Sequence, residues 1–215
     1  MKTAMRDARK HNRSDSPWDD PRWVVKVGGS LFDLDDLGRR LQVFLQRYTP
    51  PQTALVIGGG LTADVVRDFD QRFHLGDVPS HWLALRALTL NSHLLASLVP
   101  GCVVVSDLSA CQECWATNHT PILDPFAFLT QDEGQPNALP HCWDVTSDSV
   151  AARLAELIGA DTLVLLKSTS PPHGATPNDW AATGLVDSWF PRAIRRLQSV
   201  RVINFRTWSD EQAEA

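Results

Sequence analysis

Lysine is scarce in this 215-residue chain: only four of its 20 basic residues are lysines, and the rest are arginines. Lys2 and Lys10 lie in the polar N-terminal stretch, which leaves Lys26 and Lys167 for the remainder. Both lie within or at the end of apolar runs that are typical of buried strands. A charged lysine beside buried residues is costly unless it is paired, so both are candidate functional side chains. The alternative for each is a strand-end lysine whose charge reaches solvent.

Several other features are absent. No apolar run is long enough for a transmembrane helix, and residues 1–22 lack the apolar core of a secretory signal peptide, so we expect a cytoplasmic protein. The formal net charge of −5 argues against binding to nucleic acids or to anionic membranes. Neither Gly-x-x-x-x-Gly-Lys-Ser/Thr nor Gly-x-Gly-x-x-Gly occurs, which disfavours a P-loop ATPase and a Rossmann dehydrogenase.

Cysteine is also sparse, with four residues at Cys102, Cys111, Cys114 and Cys142. The Cys111–Cys114 spacing is that of a metal or redox motif. A zinc site normally has a second ligand pair, whereas the further candidate ligands here are His119 and a lone dipeptide at 141–142. We therefore expect reduced cysteines and no resident metal.

Two stretches share a pattern of an apolar run, a glycine turn and a helical repeat. The turns are Gly28-Gly29-Ser30 and Gly58-Gly59-Gly60. Apolar residues then recur every three or four positions, first over 34–48 and then at Leu61, Val65, Phe69 and Phe73. This repeat predicts neighbouring parallel strands with both turns at one edge of the sheet, where open α/β sheets bind ligands.

The paired turns predict a phosphate-binding site. Glycine lets backbone N–H groups approach an anion closely, and the helix N-termini behind the turns carry partial positive charge. Lys26 precedes the first glycine by two residues. The alternative is that these glycines only turn each strand into its helix.

The remaining chain reads as one domain over 23–208, after a flexible extension at 1–22 and before an acidic tail at 209–215. The predicted fold is a three-layer α/β/α sandwich on a mainly parallel sheet. Ser80 is predicted to cap the third helix, and residues 107–120 are predicted to be irregular.

Asp148 follows Thr146 and Ser147 at the predicted start of a helix. An acid in a first helical turn is common for structural reasons alone. The functional alternative is a carboxylate that keeps a catalytic lysine charged and oriented. Thr146 can cap the same helix, which leaves Asp148 available for that role, and the residues alone leave both interpretations open.

Taken together, these motifs resemble the amino acid kinase superfamily. Within it, the resemblance extends to the aminomethylfuran phosphate kinases of methanofuran biosynthesis. The superfamily motifs are Lys26-Val27-Gly28-Gly29-Ser30, Gly58-Gly59-Gly60 and Thr146-Ser147-Asp148-Ser149, and the narrower resemblance adds Ser80-His81, His141-Cys142-Trp143 and Val186-Asp187-Ser188-Trp189-Phe190-Pro191.

The resemblance implies phosphoryl transfer from ATP, which carries Mg²⁺, to a small metabolite such as aminomethylfuran phosphate in one-carbon metabolism. Lys26 would stabilise the transferring charge and Asp148 would organise Lys26. The implied ATP-binding residues are Gly28, Gly29, Ser30, Lys167 and Ser168, and the implied substrate-binding residues are Gly58, Gly59, Gly60, His81 and Thr146. Trp82 and Trp143 are candidates to stack on a ring, with core packing as the alternative for both and for His81. Relatives pair through helices beside the sheet, which implies a homo-oligomer.

One stretch departs from the family. Relatives follow the strand that ends at Lys167 with an acidic, glycine-containing loop, whereas residues 168–174 contain no acid and two prolines. This favours an alternative to the furan kinase, a kinase-fold protein that has lost turnover and binds a metabolite or a partner enzyme. A kinase for an amino-acid-like acceptor is a third possibility, independent of this loop.

Overall fold

A computed structural model describes residues 21–210. Most of the predicted extension and the end of the predicted tail lie outside this range. The strands are β1 Arg22–Val27, β2 Gln52–Ile57, β3 Cys102–Val105, β4 Thr120–Leu123, β5 Thr162–Lys167 and β6 Ser199–Asn204. The helices are α1 Leu37–Tyr48, α2 Gly60–Phe73, α3 Asp77–Leu98, α4 Leu108–Ala116, α5 Pro125–Asp132, α6 Ser147–Leu157, α7 Pro177–Ala182 and α8 Phe190–Ala193, with 3₁₀ turns at Gly29–Asp33 and Ile194–Arg196.

The strands form one sheet in the order β3-β4-β2-β1-β5-β6, and every pairing is parallel. This confirms the predicted parallel sheet. β1 lies between β2 and β5, with Val27 opposite both Ile57 and Leu166. The glycine turns that follow β1 and β2, and Lys167 at the end of β5, therefore meet at one edge of the sheet.

Helices cover both faces of the sheet, which confirms the three-layer architecture. On one face Val24 and Leu165 belong to a core cluster with Leu154 of α6, and on the other Val25 belongs to a cluster with Leu41 of α1. Because side chains alternate along a strand, Lys26 and Lys167 share the α6 face with Val24 and Leu165. Burial on both faces explains why the central strands are continuously apolar.

The apolar face predicted for the second helix is exposed in the structure. Leu61 is 84% exposed and Phe73 60%, whereas Ala63 and Val66 supply the buried contacts of α2. The periodicity identified the helix correctly, but the small residue Ala63 marks the side that packs. The apolar stripe faces outward.

The region 107–120 is a helix and a strand rather than irregular. Asp107 caps α4 by accepting a hydrogen bond from the Ala110 N–H at 2.9 Å, and Cys111 and Cys114 are buried on the inner face of the helix. Their spacing of three residues, taken as a possible metal motif, is the spacing of one helical face.

Three further boundaries differ in detail. Ser80 lies inside α3, which starts at Asp77 after Gly76, and Gly76 has a φ of +81°. Arg22 is the first residue of β1, and its backbone N–H donates to Asp161 at 2.8 Å. Asp210 accepts a hydrogen bond from the Tyr48 hydroxyl at 2.8 Å, so the described part of the tail is attached to α1.

Within 21–210, none of the helices combines the length and the apolar character that crossing a bilayer requires.

Candidate active site

A buried charge cluster lies at the sheet edge where the glycine turns meet. Lys26 Nζ lies 2.8 Å from Asp148 Oδ1, and Lys167 Nζ donates to Asp148 Oδ2 at 2.7 Å. Lys26 and Asp148 are only 3% and 4% exposed. The sequence linked Asp148 to Lys26, and the structure adds Lys167 as its second partner.

The position of this cluster follows from the strand register and the α6 helix. Both lysines project from neighbouring strands toward α6, and Asp148 lies in the first turn of that helix. Alanine-rich sequence and the buried Val150 and Leu154 hold the helix against the sheet. The first turn of α6 therefore brings one carboxylate between two ammonium groups.

The electrostatics of the cluster are mutually dependent. Burial raises the pKa of the Asp148 carboxyl, but the charges of Lys26 and Lys167 outweigh burial and hold that pKa below its usual value. Burial and repulsion by Lys26 lower the pKa of Lys167 to about 8, against the attraction of Asp148. With two ammonium groups and one carboxylate, the cluster favours the approach of a further anion.

The two glycine turns lie against each other. A Cβ on Gly29 would lie 2.1 Å from the Gly60 nitrogen, and a Cβ on Gly58 would lie 2.5 Å from the Gly29 nitrogen. Gly60 also has a φ of +51°, a conformation that other residues rarely adopt. The second turn stands at the N-terminus of α2, where N–H groups lack intrahelical partners, whereas the first opens the 3₁₀ turn Gly29–Asp33 and not α1. The contact between the turns accounts for the glycines without reference to a ligand. The Gly28 and Gly58 N–H groups donate to the Leu166 and Val27 carbonyls at 2.9 and 2.8 Å, so only the later N–H groups of each turn remain for an anion.

Asn91 is a buried residue that the sequence did not single out. Its side-chain amide donates to the Gly58 carbonyl at 2.8 Å and to the Gly59 carbonyl at 2.7 Å. These bonds turn the two carbonyls toward α3. A polar residue among the apolar positions of a long helix was the available signal, but it does not identify the partner.

A cleft of about 160 Å³ opens beside the turns. Its wall includes Gly29, Ser30, Gly59, Gly60, Arg67, His81, Trp143, Thr146 and Ser147. The two lysines are not part of this wall, but Asp148 directly follows Ser147. The cleft therefore adjoins the charge cluster.

The predicted substrate residues take different positions around this cleft. His81 stacks on His141 with 4.5 Å between ring centroids, and burial followed by repulsion from His141 lowers the His81 pKa to about 4. Thr146 lies in the wall, although its hydroxyl donates to Asp187 at 2.9 Å. Thr146 occupies the N-cap position of α6 but makes no side-chain cap bond.

The two candidate tryptophans separate in the structure. Trp143 lines the cleft, and its indole N–H donates to Asp70 at 2.7 Å while the Arg67 guanidinium lies 5.1 Å from its ring centroid. Trp82 packs edge-on against Phe126 beside a core cluster. Only Trp143 of this pair presents a ring to the cleft.

On the other side of the first turn, Ser30 and Ser168 come together. The Ser30 hydroxyl donates to the Ser168 hydroxyl at 3.2 Å. The loop that departs from the family therefore still touches the first glycine turn through its first residue.

The cysteines form no metal site in the described part of the chain, where no group of three potential ligands of any kind occurs. Burial raises the pKa of Cys111 to about 12 and that of Cys102 to about 12. All four thiols are free.

Sequence and structure comparisons identify proteins that are similar to this chain. A sequence profile of the amino acid kinase family matches residues 21–171. The "[5-(aminomethyl)furan-3-yl]methyl phosphate kinase" of Methanocaldococcus jannaschii is 23% identical in an alignment of 197 residues that covers 85% of this chain and 88% of that protein.

Solved structures show the same fold. A uridylate kinase from Archaeoglobus fulgidus superposes with a TM-score of 0.60 at 19% identity, over 85% of this chain and 90% of that one. A UMP kinase from Ureaplasma parvum gives a TM-score of 0.61 at 13% identity, over 86% and 89% of the two chains.

Proposed function

This chain belongs to the amino acid kinase family, and on that premise we propose that it is an ATP-dependent phosphotransferase acting on a small phosphorylated metabolite. The observation that carries the proposal is the binding of Lys26 and Lys167 to the two oxygens of Asp148, beside two touching glycine turns. Phosphoryl transfer depends mainly on positioning and on stabilising negative charge, and this cluster supplies both.

In the proposed mechanism the two lysines stabilise the phosphoryl group during transfer. Asp148 holds their ammonium groups together and keeps them charged while the site is empty. When the phosphates bind, their negative charge adds to that of Asp148, so Lys167 retains its proton to higher pH than in the free enzyme.

The donor side is proposed to lie over the first turn. Gly29 and Ser30 would offer N–H groups and a hydroxyl to the phosphates, and Lys167 and Ser168 would complete the donor side. Gly28, whose N–H donates to the Leu166 carbonyl at 2.9 Å, would shape the turn. Because the described residues contain no cluster of metal-ligating side chains, Mg²⁺ would be held chiefly by phosphate oxygens. ATP as the donor fits the cytoplasmic location expected from the sequence.

The acceptor side is proposed to be the cleft, with Gly58, Gly59 and Gly60 nearest the reacting group. Thr146 and His81, which line the cleft, would contact the rest of the acceptor. Among the described residues, no strong and unengaged base faces this space: Asp148 is engaged by two lysines, Asp64 of the cleft wall pairs with Arg67 at 2.6 Å, and a His81 pKa of about 4 makes its imidazole a weak base. An alcohol acceptor needs such a base, whereas a phosphate or carboxylate is already an anion. An anionic acceptor therefore fits best.

The acceptor to test first is aminomethylfuran phosphate, which would be converted to its diphosphate in a methanofuran-type pathway. Support comes from the Methanocaldococcus relative and from the cleft itself, which is small and has the Trp143 ring and the Arg67 guanidinium in its wall. A flat ring stacks well on an indole, and a guanidinium pairs with phosphate.

The deciding experiment is a coupled ADP-release assay with product identification by mass spectrometry. The acceptors are aminomethylfuran phosphate, UMP, acetylglutamate and aspartate, tested with wild type and Lys26→Met. We expect turnover with the furan phosphate that Lys26→Met abolishes. Turnover with acetylglutamate or aspartate alone would show that the proposed acceptor is wrong and that the proposed kinase activity is right.

A protein without turnover is the second candidate, because loop 168–174 lacks the family's acidic residues. In that case ATP or a metabolite binds but no acceptor yields ADP. Measuring ATP and metabolite binding alongside the ADP-release assay distinguishes a protein that binds without turnover from an active kinase.

We also propose a homo-oligomer. Of the twelve exposed large apolar residues in the described range, nine lie on α2 or α3. Such a concentration is typical of a surface that another chain covers. Light scattering of the wild type is expected to give a multiple of the 23.8 kDa chain mass. The double variant Phe69→Ser, Leu90→Ser is expected to give a lower mass, closer to that of the monomer. A monomeric wild type contradicts this proposal.

A further inference from the structure

Asp187 lies beyond residues 21–171, the range matched by the family profile, yet its side chain reaches the active site. Its carboxylate accepts five hydrogen bonds. The donors are the N–H and hydroxyl of Thr146, the N–H and hydroxyl of Ser149, and the N–H of Phe190. The two N–H bonds to α6 measure 3.0 Å from Thr146 and 2.9 Å from Ser149.

These bonds fix the residues on both sides of Asp148. Thr146 is the N-cap position of α6 and Ser149 is fully buried in its first turn. Asp187 thus supplies the cap that the Thr146 side chain does not make. A tilt of this turn would move Asp148 relative to Lys26 and Lys167, whose contacts with it are 2.8 and 2.7 Å.

The charge of Asp187 matters as well as its geometry. Two lysines and Asp148 leave one uncompensated positive charge, and Asp187 is the next carboxylate that acts on the cluster. It raises the pKa of Lys167, together with Asp148 and against burial and Lys26. The groups that face Lys167 are therefore Lys26 from β1, Asp148 from α6 and Asp187 from the segment before α8.

We propose that Asp187 is a positioning residue for phosphoryl transfer: its carboxylate fixes the first turn of α6 so that Asp148 holds Lys26 and Lys167 in register. This inference rests on the proposed kinase function. Asp187 does not touch the reacting atoms, and it acts through Asp148.

Two variants perturb this carboxylate to different extents. Asp187→Asn keeps the size, removes the charge and replaces one accepting oxygen with an NH2 group that cannot accept, whereas Asp187→Ala removes all five bonds. The matched control is Asp107→Asn, which alters the cap of α4 away from the cleft. If Asp187→Ala does not fold, Ser149→Ala removes one hydroxyl bond from the same carboxylate and serves in its place.

The kinetic result separates positioning from simple stability. We expect Asp187→Asn to lower kcat about 100-fold, the size of effect that a displacement of about 1 Å produces, with a small change in KM for ATP. Asp107→Asn is expected to change kcat less than twofold, because asparagine caps a helix about as well as aspartate. Equal kinetic effects of the two variants, or none for Asp187→Asn, would overturn the proposal.

A second readout does not require turnover. The chain has only four lysines, so lysine-selective NMR can follow the Lys167 side chain directly. We expect its titration midpoint to fall by about half a pH unit or more in Asp187→Asn and to stay unchanged in Asp107→Asn. An unchanged midpoint in Asp187→Asn overturns the positioning role, whereas a protein without turnover but with the expected shift refutes only the kinase activity.

Discussion

Replacing Asp148 with Asn measures how much folding free energy depends on the carboxylate of the buried cluster. The substitution keeps the side-chain size and leaves two ammonium groups facing each other in a site where Lys26 is 3% exposed. Removing one partner of a buried ion pair typically costs about 3–5 kcal/mol of folding free energy. We expect a loss of that size at pH 6, measured by urea unfolding with the fluorescence of the eight tryptophans.

The pH dependence of this loss has a defined sign. In the wild type, Lys167 has a pKa of about 8, so over the interval from pH 6 to pH 8 it stays largely charged in folded and unfolded chains alike and contributes a slope only near pH 8. Without Asp148 its folded pKa falls further, so the unfolded chain binds one more proton than the folded chain over that interval. Stability of Asp148→Asn then rises with pH, and the gap to wild type narrows by about 1–3 kcal/mol between pH 6 and pH 8.

Two further variants serve as controls. The triple variant Lys26→Met, Asp148→Asn, Lys167→Met carries no charge in this cluster, and we expect it to be more stable than Asp148→Asn and to lack the pH-dependent gap. Asp36→Asn breaks an exposed pair with Arg40 and should cost at most about 1 kcal/mol. A loss below about 1 kcal/mol for Asp148→Asn, constant from pH 6 to pH 8, would refute the reasoning.

Three further predictions concern the same site. The pH profile of kcat/KM should decline above about pH 8 as Lys167 loses its proton, and kcat should decline at higher pH because bound phosphates stabilise the charge; identical profiles contradict this. Gly29→Ala should lower kcat/KM about 100-fold or more, because its Cβ would lie 2.1 Å from the Gly60 nitrogen. Gly174→Ala, whose Cβ would meet nothing within 4 Å, should lose stability because of its φ of +72° but leave kcat/KM unchanged. Asn91→Ala should cost about 1–3 kcal/mol of stability in urea unfolding, since the Gly58 carbonyl loses its side-chain donor and the Gly59 carbonyl keeps only that of the Thr62 hydroxyl; a neutral result contradicts the role of Asn91 in holding the second turn.

The fold was predictable from the sequence because its central strands are buried on both faces and end in glycine. β-branched runs and the repeated strand–turn–helix pattern identify parallel neighbours, and the register of β1 with β2 and β5 then brings the turns and both lysines to one edge. The scarcity of lysine also singled out Lys26 and Lys167. Their joint binding to Asp148 depends on the placement of α6 and could not be read from spacing.

Other features escaped the sequence for physical reasons. Periodicity identifies a helix but not which side packs, and the stripe with Leu61 and Phe69 that identified α2 is exposed. Asn91 was not singled out, and Asp187 appeared only within the 186–191 motif, without a role. Their bonds to the second turn and to α6 span at least 32 and 38 residues of chain, and contacts over such separations leave no local pattern. The cysteines of α4 combine a motif spacing with a helical spacing, and only their burial decides between the two.

The most direct test of the account is isothermal titration of ATP·Mg into wild type, Lys26→Met and the exposed control Arg39→Met. Lys26→Met leaves Asp148 paired with Lys167, so folding should survive. Loss of one charged contact to the phosphates should weaken ATP about ten- to 100-fold, with Arg39→Met binding as wild type does. Equal affinity for Lys26→Met and wild type, or no saturable binding by wild type, would contradict a polyphosphate site at Lys26.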